Sequence, residues 1–375
     1  MKILLLESFY TSSHKQWADA LVAYSSHEIK MCSLPGRHWK WRMHHAGKHF
    51  ANEITDLNTS FDLILCSDLM NVAELRGLLA ISGKGKAWYN EVPVLTYFHE
   101  NQITYPWSAD DEDVRLNRDN HYGWINYISC LASDAILFNS TFHRKSFLNA
   151  LPTFLNQFPD SKKDNHIDGL LNKAFVLPIA LQLEPLTKLQ RIENEVPIVL
   201  WNHRWEYDKN PNLFFSTLIE LMQEGINFKV VVAGERYKKY PKIFDEAHQI
   251  LQNRVVHFGY AQSRNEYLNL LQQSDIVPVT SNQDFFGISA VEAIAAGCNP
   301  ILPNRLAFEE HLEQPEEQKY YYDTSRTFKS KLKEMIIDFK NRDDTLKYRM
   351  LKYDIDQVIS QYDSLFIKVR EEFNL

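Results

Sequence analysis

The sequence predicts an α/β protein built from two doubly wound parallel sheets, one in each of two domains. Its 375 residues exceed what most single hydrophobic cores hold, which favours two domains. Short apolar runs alternate with helix-length polar segments, as in parallel sheets whose strands are joined by helices. The alternation stops at a polar segment, residues 183–195, and then restarts. We therefore expect domains at residues 1–182 and 183–345.

The predicted strands are short and apolar on both faces, because helices cover both sides of such a sheet. In the first half they are residues 3–6, 61–66, 92–98, 135–138 and 175–177. In the second half they are residues 197–201, 228–233, 255–258, 276–279 and 300–302. Residues 211–224 show helical spacing, with Phe214, Leu218 and Leu221 on one face. Residues 346–375 are predicted to form a C-terminal helix that returns to the first domain.

Composition points to an ordinary globular protein, with 45% hydrophobic and 24% charged residues. The apolar run in residues 1–7 is too short for a signal peptide, and nothing approaches the roughly 18 apolar residues that would span a bilayer. The four cysteines show no metal-like spacing, which favours reduced thiols. We expect a cytoplasmic protein that does not engage a membrane.

The first 50 residues are basic, although the whole chain has a net charge of −7. Their seven Lys and Arg outnumber their three acids, and six of the 14 histidines also lie there. Such a concentration is typical of a surface that binds a polyanion, or of a solvated face with no partner. Both interpretations stay open.

A loop that carries two cations follows the first predicted strand of the second domain. Arg204 and Lys209 lie five residues apart within residues 201–211. They could converge on a pyrophosphate, with Arg204 as a bidentate fork and Lys209 as a point charge. Two ordinary surface cations are the alternative.

A second turn, residues 284–297, joins a predicted strand to a helix. Asp284, Gly287 and Glu292 lie at its start, its bend and within its helix. Gly287 would let the backbone approach a phosphate at the helix N-terminus. Glu292 could accept the hydroxyls of a ribose, as the acid of dinucleotide-binding folds does.

Together these motifs resemble the family-4 group of retaining glycosyltransferases with the GT-B fold. The resemblance implies two Rossmann-like domains that face each other across a cleft. In that family the Arg and Lys neutralise the leaving nucleoside diphosphate, the second acid holds the ribose, and the first acid touches the sugar. These roles fall on Arg204, Lys209, Glu292 and Asp284, where the family usually has Glu at the last position. The remaining implied donor contacts are Gly259, Tyr260, Phe286, Gly287, Ile288 and Ser289.

The first domain offers polar residues at the end of a predicted strand, where ligands bind in open α/β sheets. They are His99, Glu100 and Asn101, and the resemblance implies that His99 contacts the donor sugar. After the first strand, Ser12 or Ser13 is expected to cap the next helix and to present its hydroxyl to the donor.

Residues 34–42 are predicted to form a loop in which cations alternate with aromatic rings. Such a mixture suits phosphate contacts and stacking on unpaired bases, although an amphipathic loop could look the same. The residues concerned are Arg37, Trp39, Lys40, Trp41 and Arg42.

A narrower resemblance rests on motifs spread over residues 1 to about 345. They include Glu-Ser-Phe-Tyr (7–10), Ser-His-Lys-Gln (13–16), Phe-His-Glu-Asn-Gln (98–102), Phe-Asn-Ser (138–140) and His-Arg-Trp-Glu (203–206). They are similar to motifs of the tRNA-queuosine mannosyltransferases. The resemblance implies transfer of mannose from GDP-mannose to queuosine in the anticodon of tRNA(Asp), with retention of configuration. It adds His14 to the expected acceptor contacts.

No metal or other cofactor is expected. The acidic run 110–113 resembles the metal-binding acids of other glycosyltransferases, but a solvated loop explains it as well. Two other functions stay open. One is a glycosyltransferase that acts on a lipid or polysaccharide, and the other is a catalytically silent protein that binds tRNA or a nucleotide.

Overall fold

The computed structural model describes residues 1–82, 87–108, 111–116, 118, 120–160, 166–236 and 239–374. Its contacts divide the chain into two compact units. The first comprises Met1–Leu181 together with Ile355–Leu375, and the second comprises Gln182–Asp354. The boundaries expected from the sequence were at 182/183 and 345/346.

The first unit is built on a parallel sheet of six strands in the order β2-β1-β3-β4-β5-β6. These strands are β1 (Lys2–Tyr10), β2 (Glu28–Pro35), β3 (Leu63–Ser67), β4 (Val94–Phe98), β5 (Ala135–Phe138) and β6 (Ala174–Val176). The helices between them are α1 (Ser12–Tyr24), α2 (Trp39–Thr55), α3 (Val72–Ser82), α4 (Glu112–Arg115), α5 (Asn120–Ala132), α6 (Thr141–Leu155) and α7 (Ile167–Asn172). The strand order reverses at β1, so the carboxyl ends of β1 and β3 form the switch point where such sheets bind ligands.

The second unit repeats this plan with the strand order β12-β11-β10-β7-β8-β9. Its helices begin with α8 (Glu184–Thr187), and its strands are β7 (Ile198–Trp201), β8 (Lys229–Ala233), β9 (Val255–Gly259), β10 (Ile276–Pro278), β11 (Asn299–Pro303) and β12 (Tyr321–Tyr322). The other helices are α9 (Pro211–Gln223), α10 (Ile243–Leu251), α11 (Arg264–Gln273), α12 (Ile288–Ala295), α13 (Ser325–Ile337) and α14 (Leu346–Arg349). Its switch point lies between β7 and β10, which pair in parallel through Val199 and Ile276.

The predicted fold class is confirmed, because both units are doubly wound parallel α/β layers. The predicted strands were found within a few residues, since their runs are buried on both faces. β2 was missed because its residues alternate between exposed and partly buried, as an edge strand does. Residues 34–42 were wrongly predicted to be a loop. β2 runs to Pro35 and α2 begins at Trp39.

The C-terminal helix α15 (Ile355–Phe373) belongs to the first unit, as predicted. The Trp17 indole donates a hydrogen bond of 3.0 Å to the Tyr362 hydroxyl. The Tyr362 hydroxyl in turn donates a hydrogen bond of 3.0 Å to the Pro178 carbonyl. The Asp363 carboxylate accepts hydrogen bonds from Ser25 and Ser26. Of the helices in the described ranges, none combines the length and apolar character that crossing a bilayer needs.

Candidate functional site

The predicted donor residues of the second unit lie beyond the carboxyl ends of β7 and β10, at the switch point of its sheet. Arg204 and Lys209 follow β7, whereas Asp284 and Gly287 follow β10. Adjacent parallel strands bring these two loops together. The backbone N–H of Asn282 donates to the Asp208 carbonyl at 2.7 Å.

Lys209 and Asp284 form a buried ion pair with 3.0 Å between Nζ and Oδ2. The Lys209 ammonium also contacts Asp208 Oδ2 at 3.1 Å and donates to the Gln283 carbonyl at 2.8 Å. Burial opposes ionisation of both partners, but the charge of Asp284 keeps the pKa of Lys209 above its usual value. The charge of Lys209 holds the pKa of Asp284 below its usual value. Both groups are therefore charged, and Lys209 orients Asp284.

Arg204 is the more accessible of the two predicted diphosphate ligands. Its side chain is 43% exposed and lies 3.1 Å from the Glu206 carboxylate. It is close enough to Lys209 and Asp284 to lower the pKa of each. Arg204 can thus contact a bound anion while Lys209 stays within the protein.

His203 joins the two loops, and sequence reasoning gave it no role. Its Nδ1 lies 2.9 Å from the Ser289 hydroxyl, near the start of α12. Burial and the charge of Lys209 lower the pKa of His203 to about 4, so the ring is neutral. Asn202 adds a hydrogen bond of 2.7 Å to the Ser289 carbonyl. These contacts fix the first turn of α12 against the loop that carries Arg204.

Gly287 forms the turn into α12 and has a positive φ of 84°. A Cβ at this position would lie 2.7 Å from Cε1 of Phe308. Phe286 packs edge-on against His311 and Tyr353. The turn therefore needs glycine for its backbone and for space, and the helix begins at Ile288 with its N–H groups directed outward.

Glu292, one turn further along α12, is buried and ion-paired. Its Oε1 lies 2.7 Å from Arg264, whose side chain is 50% exposed. Arg264 is the first residue of α11 and was missed, because an isolated Arg carries no motif. No hydrogen bond or ion pair among the described residues joins Gly259 or Tyr260 to Glu292 or Arg264. Tyr260 is 58% exposed.

The first unit gathers a second polar group at its own switch point. Glu7 lies near the end of β1, Asp68 follows β3 and His99 follows β4, and all three are buried. The Asp68 carboxylate accepts long hydrogen bonds from the N–H groups of His99 and Glu100, both at 3.3 Å. Sequence reasoning missed Asp68. Its position directly after a buried parallel strand was the available signal.

His14 links Glu7 to His99. Its Nδ1 lies 3.1 Å from Glu7 Oε1, and its ring stacks on the His99 ring with centroids 3.8 Å apart. Burial disfavours a charged His14, but Glu7 outweighs it and raises the pKa of His14 to about 9. Burial and the adjacent His14 lower the pKa of His99 well below its usual range. Burial raises the pKa of Asp68 to about 7.

Possible metal-binding atoms of Glu7, His14 and His99 lie within 4.8 Å of one another. Their arrangement is better explained as an ion pair under a neutral ring. Imidazole lone pairs lie in the ring plane, and the two ring planes are only 28° from parallel. Lone pairs of stacked rings do not converge on one ion. Of the acidic run, Asp110 lies outside the described residues, while Asp111 and Asp113 pair with Lys40.

The predicted capping role of Ser12 and Ser13 is wrong. Both lie in the first turn of α1, whose N-cap is Thr11 without a side-chain cap. Asn101 is fully buried, and its side-chain oxygen accepts from the N–H groups of Ile103 and Thr104. Glu100 accepts a hydrogen bond from Gln102 at 2.8 Å. The expected ligand contacts of these four residues stay predictions.

The basic segment divides into paired and exposed side chains. Lys40 is held by Asp111 at 2.6 Å and by Asp113 at 2.5 Å. Trp39 packs against Trp107 and Tyr122. Arg37 is exposed, Trp41 is 58% exposed, and Arg42 is partly buried. The segment thus combines side chains held by contacts within the first unit with others that are exposed, and their expected contacts with tRNA stay a prediction.

Comparison with known proteins matches both units. A family model described as the N-terminal part of tRNA-queuosine alpha-mannosyltransferases matches residues 2–181, and one described as glycosyl transferases group 1 matches residues 186–358. The tRNA-queuosine alpha-mannosyltransferase of Drosophila melanogaster is 36% identical over 343 residues, covering 88% of this chain and 85% of the fly protein. The chain belongs to the tRNA-queuosine alpha-mannosyltransferase family.

Solved structures agree with the GT-B architecture of this family. Sucrose-phosphate synthase of Thermosynechococcus elongatus has a TM-score of 0.69 at 14% identity, over 98% of this chain and 99% of that one. HepE of Anabaena, solved with UDP and glucose, has a TM-score of 0.65 at 14% identity, over 98% and 100%. At such low identity the likeness concerns the fold alone. Membership of the family confirms the resemblance drawn from the motifs and makes the chain a glycosyltransferase.

Proposed function

We propose that this chain transfers mannose from GDP-mannose to queuosine in the anticodon of tRNA(Asp), in the cytoplasm. The observation that carries the proposal is the 36% identity to a tRNA-queuosine alpha-mannosyltransferase across 88% of the chain. Such coverage includes residues of both units. The four cysteines are free thiols, as a reducing compartment favours.

The donor group suits departure of a nucleoside diphosphate. Negative charge grows on the diphosphate as the anomeric C–O bond breaks, and preorganised donors stabilise that charge most effectively. Arg204 and the N–H groups at the start of α12 are proposed to supply this stabilisation. Lys209 holds Asp284 by their ion pair, so that the carboxylate can accept hydrogen bonds from sugar hydroxyls. Glu292 is proposed to bind the ribose.

Retention of configuration is proposed without a protein nucleophile. Asp284 is tied to Lys209 and Glu292 to Arg264, so both are engaged by cations. The departing phosphate can itself accept the proton of the acceptor hydroxyl. His99 is proposed to contact the donor sugar as a neutral imidazole, which can donate one hydrogen bond and accept another. No metal is proposed to take part.

The direct test is to incubate the purified protein with GDP-mannose and tRNA(Asp) that contains queuosine. After nuclease digestion, mass spectrometry of the nucleosides should show one hexose added to queuosine. The same tRNA without queuosine is the control and should stay unmodified. Transfer to a lipid or polysaccharide in place of tRNA, or no transfer from any sugar nucleotide, would overturn the proposal.

A thermal-shift series tests the donor separately. GDP should stabilise the protein more than UDP does, and EDTA should change neither the stabilisation nor the rate of transfer. A larger shift with UDP would contradict GDP-mannose as the donor. Loss of transfer in EDTA, restored by a divalent ion, would contradict the metal-free mechanism and would direct attention to Glu7, His14 and His99.

A further inference from the structure

The outer side of α2 carries a continuous row of exposed or partly exposed rings. Trp41, His45 and His49 follow one another at intervals of four residues, which places them on one side of the helix. The Trp41 and His45 rings stack with centroids 5.3 Å apart and planes 16° from parallel. The His45 and His49 rings follow at 6.4 Å. The row ends at Glu53, 3.3 Å from His49.

Cations flank this row, and among the described residues Arg37 and Arg42 form no ion pair with an acid, unlike Lys40. Burial lowers the pKa of Arg42, and the charge of Arg37 lowers it further. The Arg42 Nε is buried and has no hydrogen-bond partner among the described residues. The first turn of α2 contains no acid, although acids are favoured at that end of a helix. Lys48, six residues beyond Arg42, is exposed.

The positive charges of Arg37 and Arg42 are thus available to an anion, whereas that of Lys40 is not. Lys40 is neutralised by two carboxylates, whereas Arg37 and Arg42 repel each other. A phosphate between them would relieve this repulsion and offset the positive end of the helix. A strand with regularly spaced phosphates and unpaired bases matches both the cations and the ring row.

We propose that the α2 face, formed by Arg37, Trp41, Arg42, His45, Lys48 and His49, binds a single-stranded stretch of the RNA substrate. The inference rests on the proposed function for the identity of that RNA. It adds that the α2 face anchors the strand and does not read the modified base. Cations bind the phosphates, and the ring row stacks on bases of any sequence.

The test uses the full chain with Trp41→Ala, His45→Ala and Lys48→Ala combined. These side chains are exposed or partly exposed, and circular dichroism and GDP binding should match the wild type. The control combines Tyr348→Ala and Lys347→Ala, which remove a ring 56% exposed and the cation above it in the second unit. Affinity for tRNA(Asp), with and without queuosine, is measured by fluorescence anisotropy from low to high salt.

The α2 variant should bind both tRNAs at least ~10-fold more weakly. Its salt slope should fall by about one for the lost lysine, while the control variant is unchanged. Equal affinity of the α2 variant and the wild type would overturn the inference. A loss confined to queuosine-containing tRNA would also overturn it, because the face would then read the modified base.

A separate outcome bears on the proposed function. If the wild type binds tRNA through the α2 face but transfers no mannose, the proposed function fails and the anchoring surface stands. If mannose is transferred and the α2 variant retains its KM for tRNA, the proposed function stands and the anchoring surface fails. When both hold, the variant should show a raised KM for tRNA with an unchanged kcat.

Discussion

The imidazole rings of His14 and His99 lie face to face, with centroids 3.8 Å apart. One ring is charged and the other is neutral, since Glu7 holds the proton on His14 and burial excludes it from His99. The charged His14 ring, stacked on His99, therefore helps burial to keep the His99 ring neutral. A neutral imidazole can accept a hydrogen bond from a hydroxyl as well as donate one, whereas a charged imidazolium can only donate.

The His14 ion pair should make stability depend on pH. The folded-state pKa of about 9 exceeds the unfolded value near 6.5, so the stabilisation is complete below about pH 6.5 and is lost as the pH rises through 9. The free energy of unfolding should fall by on the order of 3 kcal/mol over this range. Urea unfolding at several pH values measures it. His14→Gln should abolish most of the slope, and the exposed-site control His44→Gln should keep it. Equal slopes in all three proteins would contradict the assignment.

Arg204→Ala and Lys209→Ala should differ in stability while both lose activity. Each should lower kcat by ~10²-fold or more. Arg204→Ala removes a group that stabilises the growing charge of the diphosphate, and Lys209→Ala removes the ion pair that orients Asp284. Arg204 is 43% exposed, so its removal should leave the melting temperature unchanged. Removal of Lys209 leaves Asp284 buried without the cation of its ion pair, which should cost about 3–5 kcal/mol. Arg326→Ala, at an exposed position of α13, is the control. Wild-type turnover in Arg204→Ala would remove the donor assignment.

Glu292→Gln should weaken GDP binding by about ten- to a hundredfold, because a carboxylate that binds ribose hydroxyls makes charge-assisted hydrogen bonds. Calorimetry with GDP measures the loss. Arg264→Gln, which removes the partner of Glu292 and keeps the carboxylate, is the matched control and should retain more of the affinity. If Glu292→Gln binds GDP like the wild type, the acid serves only its ion pair with Arg264.

Alanine substitutions at Gly225 and Gly287 should separate the cost of a left-handed backbone from the loss of donor binding. Gly225 and Gly287 have φ values of 79° and 84°, but only the second would place a Cβ against a neighbouring ring. Gly225→Ala should cost about 1–2 kcal/mol for its left-handed backbone and leave transfer intact. Gly287→Ala adds the clash with Phe308 and displaces the start of α12, so it should also lose most activity. Equal activity in the two variants would show that this turn does not bind the donor.

The fold was predictable because its strands are buried on both faces, which a run such as residues 135–138 displays directly in the sequence. β2 was not predictable in this way, since an edge strand exposes alternate residues. The start of α2 was missed for a different reason. His38 takes a left-handed conformation as the N-cap and gives no capping side chain, so the usual signal of a helix start is absent.

The candidate site was predictable where a residue belongs to a compact motif, as Asp284 and Lys209 do. It was not predictable where function depends on a partner distant in sequence. Nothing near Glu292 in the chain indicates Arg264, and nothing near Lys40 indicates that Asp111 and Asp113 neutralise it. Long-range pairing of charges decides which cations face a ligand, and local sequence does not show it.

The contact between Trp17 and Tyr362 joins residues 345 positions apart, which has a consequence for biosynthesis. Domains usually fold in order as they leave the ribosome. Here the first unit lacks α15 until the codons of residues 355–373 are translated, whereas Gln182–Asp354 is one uninterrupted stretch. The unit synthesised first is therefore completed last. Nascent chains stopped before residue 355 should expose the α1 surface that α15 covers, and so should be substrates for chaperones.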